Sequence, residues 1–264
     1  MLEIQELPQA ICQNLYGIFC DLDDTMTTDG KLLDVSYQAL WNAYRAGLRV
    51  VVVTGRPGGW CDHIARMWPV SAVVGENGAF YFWMEGGKMR RYFVQDSATR
   101  EQGRARLKLL QKQILQEVPL AAVSSDQQYR ESDLAIDFCE DVPPLTQAMQ
   151  QKILQIFRAA EAQAKISSIH VNGWFGQFDK LSSCKLLMSQ LWQANPATAI
   201  ERSVYCGDSP NDEPMFAAFP HSVGVANVVP WLGAMKSHPR YKTRQRGGEG
   251  FAEMVAWILQ QRQS

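Results

Sequence analysis

Residues 16–25 read YGIFCDLDDT, a short apolar run that ends abruptly in acidic residues. Tyr16–Cys20 is too short for a helix and shows no polar alternation, the pattern of a strand buried on both faces. Such a strand implies a parallel sheet with helices on either side. The following residues continue the pattern. Val35–Ala46 places Val35, Ala39, Leu40, Ala43 and Tyr44 at helical spacing, and Gly47 closes the segment as a C-cap. Leu48–Val53, with four consecutive valines, reads as a second strand. Gly59–Trp68 reads as a short helix stopped by Pro69, and Ala72–Val74 as a third strand. Strand and helix alternating through short links predict a doubly wound α/β sheet of Rossmann-like type.

After Gly78 the texture changes. Residues 79–94 (AFYFWMEGGKMRRYFV) read as a hairpin turning at Gly86–Gly87. A long polar helix is predicted at 98–118, strands at Leu120–Ser124 and Asp133–Phe138, and a second helix at Leu145–Ala164. In Asp133–Phe138 the residues Leu134, Ile136 and Phe138 face one way, which leaves Asp137 for solvent. Lys165–Phe178 reads as another hairpin, turning near Asn172–Gly173. From Lys180 the α/β texture returns, with a helix to about Ala194, strands at Ser203–Cys206 and Ser222–Val225, the helix Glu213–Ala218 between them, and a final amphipathic helix from about Gly250. The predicted organisation is a core of residues 1–82 and 173–264, interrupted by an inserted α+β unit at 83–172.

Composition narrows the partners. In 264 residues, 26 basic against 27 acidic side chains leave a formal charge of −1, so no global pull toward nucleic acid or anionic membrane is expected. The longest apolar stretch near a strand, LRVVVVT, falls far short of the roughly 18 residues of a membrane span. Cys12, Cys20, Cys61, Cys139, Cys184 and Cys206 show no metal-finger spacing, and no basic, apolar leader opens the sequence. A reducing cytoplasm is the expected setting.

Chemistry gathers just after the predicted strands, where ligands bind in open α/β sheets. Asp21, Asp23 and Asp24 follow the first strand. Two carboxylates one residue apart are tolerable when a cation neutralises them or one is protonated; taken alone, a solvated Asp-rich turn is the competing reading. Oxygen donors of this kind favour Mg²⁺. Thr54-Gly55-Arg56-Pro57 follows the second strand, where a hydroxyl, free amides and a Gly allow close approach to an anion, or simply make a turn. Gly207-Asp208-Ser209-Pro210-Asn211-Asp212 follows Ser203–Cys206, with Asp208 and Asp212 four apart and able to face one centre. Lys180 opens a helix that Asp179 can cap, a natural phosphate anchor. Lys185 competes for that role, but five residues at 100° each put it about 140° round the helix. Lys180 is the preferred anchor.

In order and placement, Asp21-x-Asp23, Thr54, Lys180 and Gly207-Asp208-x-x-Asn211-Asp212 resemble the four motifs of the haloacid dehalogenase superfamily. The 30 residues between Asp23 and Thr54 leave no room for a cap domain, whereas the 125 between Thr54 and Lys180 do. That placement, together with Glu76-Asn77-Gly78-Ala79, is similar to the type IIB branch of Cof-like, sucrose-phosphate, trehalose-phosphate and mannosyl-phosphoglycerate phosphatases. The resemblance implies a phosphomonoester hydrolase acting on a small phosphorylated metabolite, a sugar phosphate first. It implies Asp21 as nucleophile, Asp23 as general acid and base, and a Mg²⁺ site drawn from Asp21, Asp23 (through its main-chain carbonyl), Asp208 and Asp212. Thr54, Gly55, Arg56, Lys180 and Asn211 would hold the phosphoryl group, with Asp212 orienting Lys180 or water on the metal. Motif departures are Asp24 and Leu181, both at positions where Gly is common in the family. Specificity is expected from the insert, where Trp83, Arg90, Arg91, Tyr129, Arg130 and Trp174 are candidates to meet a sugar, or else exposed arginines and core aromatics. His63, His170, His221 and His238 show no ligand spacing and receive no role. A phosphotransferase using the same nucleophile and a non-catalytic sugar-phosphate binding module are the alternative readings.

Overall fold

The computed structural model describes residues 1–167 and 169–263. In chain order the first part comprises β1 (Leu2–Glu3), α1 (Gln9–Asn14), β2 (Gly17–Cys20), the small ribbon β3 (Thr27–Thr28) and β4 (Lys31–Leu32), α2 (Asp34–Arg45), β5 (Arg49–Val53), α3 (Gly58–Met67) and β6 (Ala72–Gly75). Then come β7 (Phe80–Glu85), β8 (Lys88–Phe93), α4 (Ser97–Glu117), β9 (Ala122–Val123), β10 (Asp133–Asp137), α5 (Gln147–Ala159), β11 (Gln163–Ile166) and β12 (His170–Trp174). The chain closes with α6 (Lys180–Gln190), α7 (Pro196–Glu201), β13 (Ser203–Gly207), α8 (Glu213–Ala218), β14 (His221–Gly224), β15 (Tyr241–Lys242) and α9 (Gly247–Gln263).

Among the described residues the large sheet runs β1-β15-β14-β13-β2-β5-β6-β7-β8. It is parallel from β1 to β6, and β7 and β8 extend it antiparallel. Its strands are apolar throughout because successive residues feed opposite layers. Ile18, Cys20, Val50 and Val52 pack beneath α2, α3 and α9, with Leu40, Ile64, Phe251 and Met254. Phe19, Val51, Val53 and Tyr205 face the other way, against Leu187 and Met188 of α6 and Phe216 of α8. The chain leaves β2 toward β5 on one side and returns through β13 on the other, so the β2 end is the switch point of the sheet.

A second sheet, β11-β12-β10-β9, is antiparallel. On one face Leu134, Ile136 and Val171 bury against Leu107, Leu110 and Ile114 of α4 and Ile153 and Phe157 of α5. The opposite face carries Asp133, Asp137, His170 and Asn172, all buried without belonging to that apolar cluster.

Three expectations are corrected. The hairpin at 79–94 is part of the large sheet: Phe80 and Phe82 join one core layer and Tyr81 the other, so the strand is covered on both faces. The expected boundaries at 82/83 and 172/173 therefore cut through β7 and β12, and the sheets part company at 94–96 and 175–179. Second, the helix expected to reach Ala164 ends at Ala159, where Glu161 takes a left-handed φ of 61° and turns the chain into β11. Third, Asn172 and Gly173 sit inside β12, opposite Ala135 and Leu134, and β11 ends at Ile166 before β12 begins at His170. Gly173 serves packing there, since a Cβ would run into the Phe157 ring.

Gly78 ties this frame to the start of α6. Its φ is +107°, a Cβ would collide with the Asp179 carbonyl, and its own carbonyl accepts a hydrogen bond from the Ser183 hydroxyl. Gly78→Ala should therefore lose about 2–5 kcal/mol in chemical denaturation, from backbone strain and overpacking together; an unchanged midpoint would refute this contact.

Candidate active site

The loops after β2, β5 and β13 converge with the N-terminus of α6 at the carboxyl edge of the sheet. Asp179 caps α6 by accepting from the Ser182 amide at 2.7 Å, as its sequence position suggested. That cap fixes Lys180 as the first helical residue, with a side chain 2% exposed. Its Nζ donates to Asp21 Oδ1 at 2.6 Å and to Asp212 Oδ1 at 3.0 Å. Lys185 lies on the exposed face of α6.

Asp212 is heavily engaged. Its Oδ1 also accepts from the Tyr205 hydroxyl at 2.6 Å, and its Oδ2 from the Asp208 amide at 3.1 Å. Gly207 has to be glycine, because a Cβ would sit 2.5 Å from Asp212 Oδ2. Asp208 itself accepts from Thr25 Oγ1 at 3.3 Å. Carboxylate oxygens of Asp21, Asp208 and Asp212 lie within 4.8 Å of one another, all three residues buried. Burial pushes the Asp21 carboxyl up to about 7, against the pull of Lys180, and Asp212 and Asp23 push the same way. Burial likewise raises Asp208 well above the usual carboxylate range, helped by Asp212 and Asp21. Burial works against the Lys180 ammonium, yet Asp21 and Asp212 more than compensate and raise its pKa. One ammonium thus faces three buried carboxylates, and a small oxygen-preferring cation fits the remaining deficit.

The Asp23 carboxylate stands apart from that cluster. Arg56 Nε lies 3.1 Å from both of its oxygens, and Nη2 donates to Oδ1 at 3.0 Å. Arg56, expected on a phosphate, is instead committed to carboxylates, since Nη1 donates to Glu140 at 3.1 Å and the guanidinium stacks 4.4 Å from the Trp60 ring. Glu140 comes from the inserted unit, where Asp137 presents it. The Asp137 carboxylate, 1% exposed rather than solvent-facing, accepts from the amides of Cys139, Glu140 and Asp141. The His170 ring, with Nε2 2.9 Å from Glu140 Oε2, lowers the Glu140 carboxyl to about 2, with Arg56 adding to the effect.

The other expected residues fall as follows. Thr54 is fully buried and its hydroxyl accepts from the Arg56 amide at 3.0 Å. Gly55 and Asn211 line the pocket between the two sheets, and Asn211 Oδ1 is buried with no hydrogen-bond partner among the described residues. From the insert, Arg130, His170 and Asn172 reach that pocket. Arg130 donates to the Gly55 carbonyl at 3.0 Å and to Asp133 and Asp126, so it braces the loop after β5. Arg90 and Arg91 pair with Glu85 and Asp62 on the far edge, Trp83 packs on the core, Trp174 is buried against Phe178, and Tyr129 is exposed beside Gly59. His170, Asn172 and Ser209 were not anticipated. The alternation in HVNGW, which sets His170 and Asn172 on the face opposite Val171, is the signal that locates the first two.

Comparison with known proteins follows the same lines. The family profile of haloacid dehalogenase-like hydrolases matches residues 18–172. No curated protein matches the sequence. Among solved structures, the Thermoplasma acidophilum protein 0175 superposes with a TM-score of 0.72 at 14% identity, covering 93% of this chain and 98% of its own. A putative HAD/COF-like hydrolase from Plasmodium vivax gives 0.70 at 16% identity, over 98% and 99%. The sucrose-phosphatase from Synechocystis, solved with sucrose and phosphate, gives 0.60 at 17% identity, over 93% and 98%. At these identities the likeness establishes a shared fold.

The Lys180 pairing has a measurable consequence. Lys180→Met leaves the carboxylates buried without their ammonium, at a cost of about 3–5 kcal/mol. Without Lys180 the folded-state pKa values of Asp21 and Asp208, already above their unfolded values, rise further. A group of that kind loses stabilisation as pH rises toward its folded pKa. Denaturation in EDTA should therefore show the variant's deficit larger at pH 8 than at pH 6; a deficit that shrinks toward pH 8 would contradict the charge balance.

Proposed function

Because the chain belongs to the haloacid dehalogenase-like hydrolases, we propose that it is a phosphatase that hydrolyses the phosphomonoester of a small metabolite, a sugar phosphate first. The observation that carries the reading is the pairing of two differently held carboxylates at one pocket. Asp21 is anchored by Lys180, and Asp23, two residues on, is gripped by Arg56. One is set for attack and the other for proton transfer. The Synechocystis protein that shares the fold is named for sucrose phosphate, which supports a sugar ester.

The residues perform two displacements. An Asp21 carboxylate oxygen forms a bond to phosphorus while the bond from phosphorus to the leaving oxygen breaks. Asp23, which has to enter this step protonated and released from Arg56, gives that oxygen its proton, help worth about 10²–10⁴-fold. Water then forms the new phosphorus–oxygen bond, Asp23 takes its proton, and the bond to Asp21 breaks to release phosphate. Lys180 occupies Asp21 Oδ1, which leaves Oδ2 for the attack. Gly55 and Asn211, which line that pocket, would hold the phosphoryl oxygens, while the buried Thr54 hydroxyl holds the Arg56 amide and so shapes the same loop. Asp212 positions Lys180. Asp21, Asp208 and the main-chain carbonyl of Asp23 would hold Mg²⁺, with Asp212 at the edge of the set. When bound, the cation offsets repulsion between the nucleophile and the phosphoryl oxygens. The inserted sheet would act as the cap; its contacts with Gly55 and Arg56 tie it to the loop after β5, and through Arg56 to Asp23.

Two measurements test this. Phosphate release from a panel of sugar phosphates, acetyl phosphate, nucleotides and phosphoglycerate should require Mg²⁺ and stop in EDTA, and Asp21→Asn should abolish it. Unchanged turnover in EDTA or in Asp21→Asn would defeat the metal or the nucleophile respectively, and transfer to an added sugar with little free phosphate would make the protein a phosphotransferase. Protons must also leave Asp21 and Asp208 before a cation binds, since their pKa values are raised. Calorimetry should accordingly show Mg²⁺ affinity rising from pH 6 to pH 8 with proton release, and a flat profile would contradict this.

A further inference from the structure

Arg56 holds Asp23 in an arrangement that does not suit proton delivery. Nε lies 3.1 Å from both Asp23 oxygens and Nη2 donates to Oδ1 at 3.0 Å, so each oxygen already faces an N–H donor. A carboxyl group that hands over a proton has to turn one oxygen toward the ester as an O–H donor. Within the fork, donor would then face donor, so Asp23 has to leave it. Of the two partners Asp23 is the freer, 24% exposed against 8% for Arg56. The guanidinium therefore stays behind, and a buried cation that loses its carboxylate is strongly destabilising.

Two other carboxylates stand near it. Asp126 Oδ2 is 3.8 Å from Nη1, but that carboxylate is committed elsewhere, accepting from Arg130 Nε at 3.1 Å and from the Ser124 hydroxyl at 2.7 Å. Glu140 Oε1 accepts from Nη1 at 3.1 Å, the nitrogen of the fork that makes no hydrogen bond to Asp23. What fixes Glu140 is independent of Asp23. Its amide donates to Asp137 Oδ1 in β10 at 2.8 Å, and its second oxygen lies 2.9 Å from His170 Nε2 in β12. The Trp60 ring, 4.4 Å from the guanidinium, completes the seat. Arg56 is thus supported on one side by partners that remain when Asp23 departs.

We propose that Glu140 is a positioning residue for the acid step: it retains Arg56 while Asp23 swings free to meet the leaving oxygen. In that step the proton on Asp23 passes to the ester oxygen as the phosphorus–oxygen bond breaks, and the carboxylate so formed falls back to Arg56. The proposal rests on the phosphatase reading and adds a residue that acts through Arg56. Glu140 is absent from the described residues lining the catalytic pocket. Its influence should scale with how much the leaving group needs a proton. Alkoxides need one, whereas acetate leaves acetyl phosphate without help.

The test is single-turnover release of the leaving group by the intact, Mg²⁺-loaded enzyme, with acetyl phosphate and with the fastest alkyl phosphate of the panel. At saturation, Glu140→Gln, which keeps the shape and removes the charge, should slow the alkyl ester about tenfold and acetyl phosphate by less than about twofold. Equal slowing of both overturns the proposal, because a tie that merely holds the two sheets together would serve both reactions alike. A deficit seen only below saturation overturns it too, since that marks a lost contact with substrate. So does no change in either. Refusal of every ester and of acetyl phosphate by the unaltered protein would sink the phosphatase reading itself. Turnover of acetyl phosphate alone would keep Asp21 as nucleophile but remove the acid step, and the role of Glu140 with it.

Discussion

The buried ammonium of Lys180 is the point on which the catalytic edge depends. It binds the loop after β2 through Asp21 and the loop after β13 through Asp212. Its own helix is held to the loop after β6 through the Ser183 hydroxyl and the Gly78 carbonyl. Burying such a charge costs several kcal/mol before any partner is counted, so the arrangement stands only while both carboxylates are in place. It also leaves the site short of positive charge, because Asp208 shares the same enclosure. A small oxygen-preferring cation fits that deficit, as the proposed mechanism requires.

A second set of contacts joins the inserted sheet to this edge. The Glu76 carboxylate, fully buried, accepts from the amides of Gly58, Glu131, Ser132 and Asp133, which pins the loop before β10 to the core. Arg130 reaches the Gly55 carbonyl, and Glu140 reaches Arg56, which grips Asp23. Charge alternates along the path from Asp23 through Arg56 to Glu140, whose other oxygen lies 2.9 Å from His170 Nε2. The Asp23 carboxylate is thus mechanically connected to the inserted sheet, and displacing that sheet would free Arg56 on one side.

Much of this was legible before any coordinates. Strands buried on both faces leave continuous apolar runs, and the polar residue that ends each run sits where the sheet binds ligands, so Asp21, Thr54 and Asp208 could be read together. Lys180 followed from the cap at Asp179 and the geometry of one helical turn. What escaped depended on contacts across many residues. The 79–94 hairpin has the alternation of any hairpin, and only the cover on both faces of Phe80, Tyr81 and Phe82 puts it in the large sheet. Arg56 looks like an anion ligand until Glu140, 84 residues on, is brought to it. Asp137 reads as a solvent position because the three amides that bury it lie in a turn with no regular period.

The central claim is that Asp21 carries the phosphoryl group between the two displacements. Rapid mixing with a ³²P-labelled ester, chosen as the fastest of those turned over, followed by acid quenching and peptide mapping, reads it directly. The account predicts transient, hydroxylamine-labile label on the peptide containing Asp21, appearing no slower than the leaving alcohol. Steady phosphate release with no protein-bound label, or label on a different residue, would contradict it.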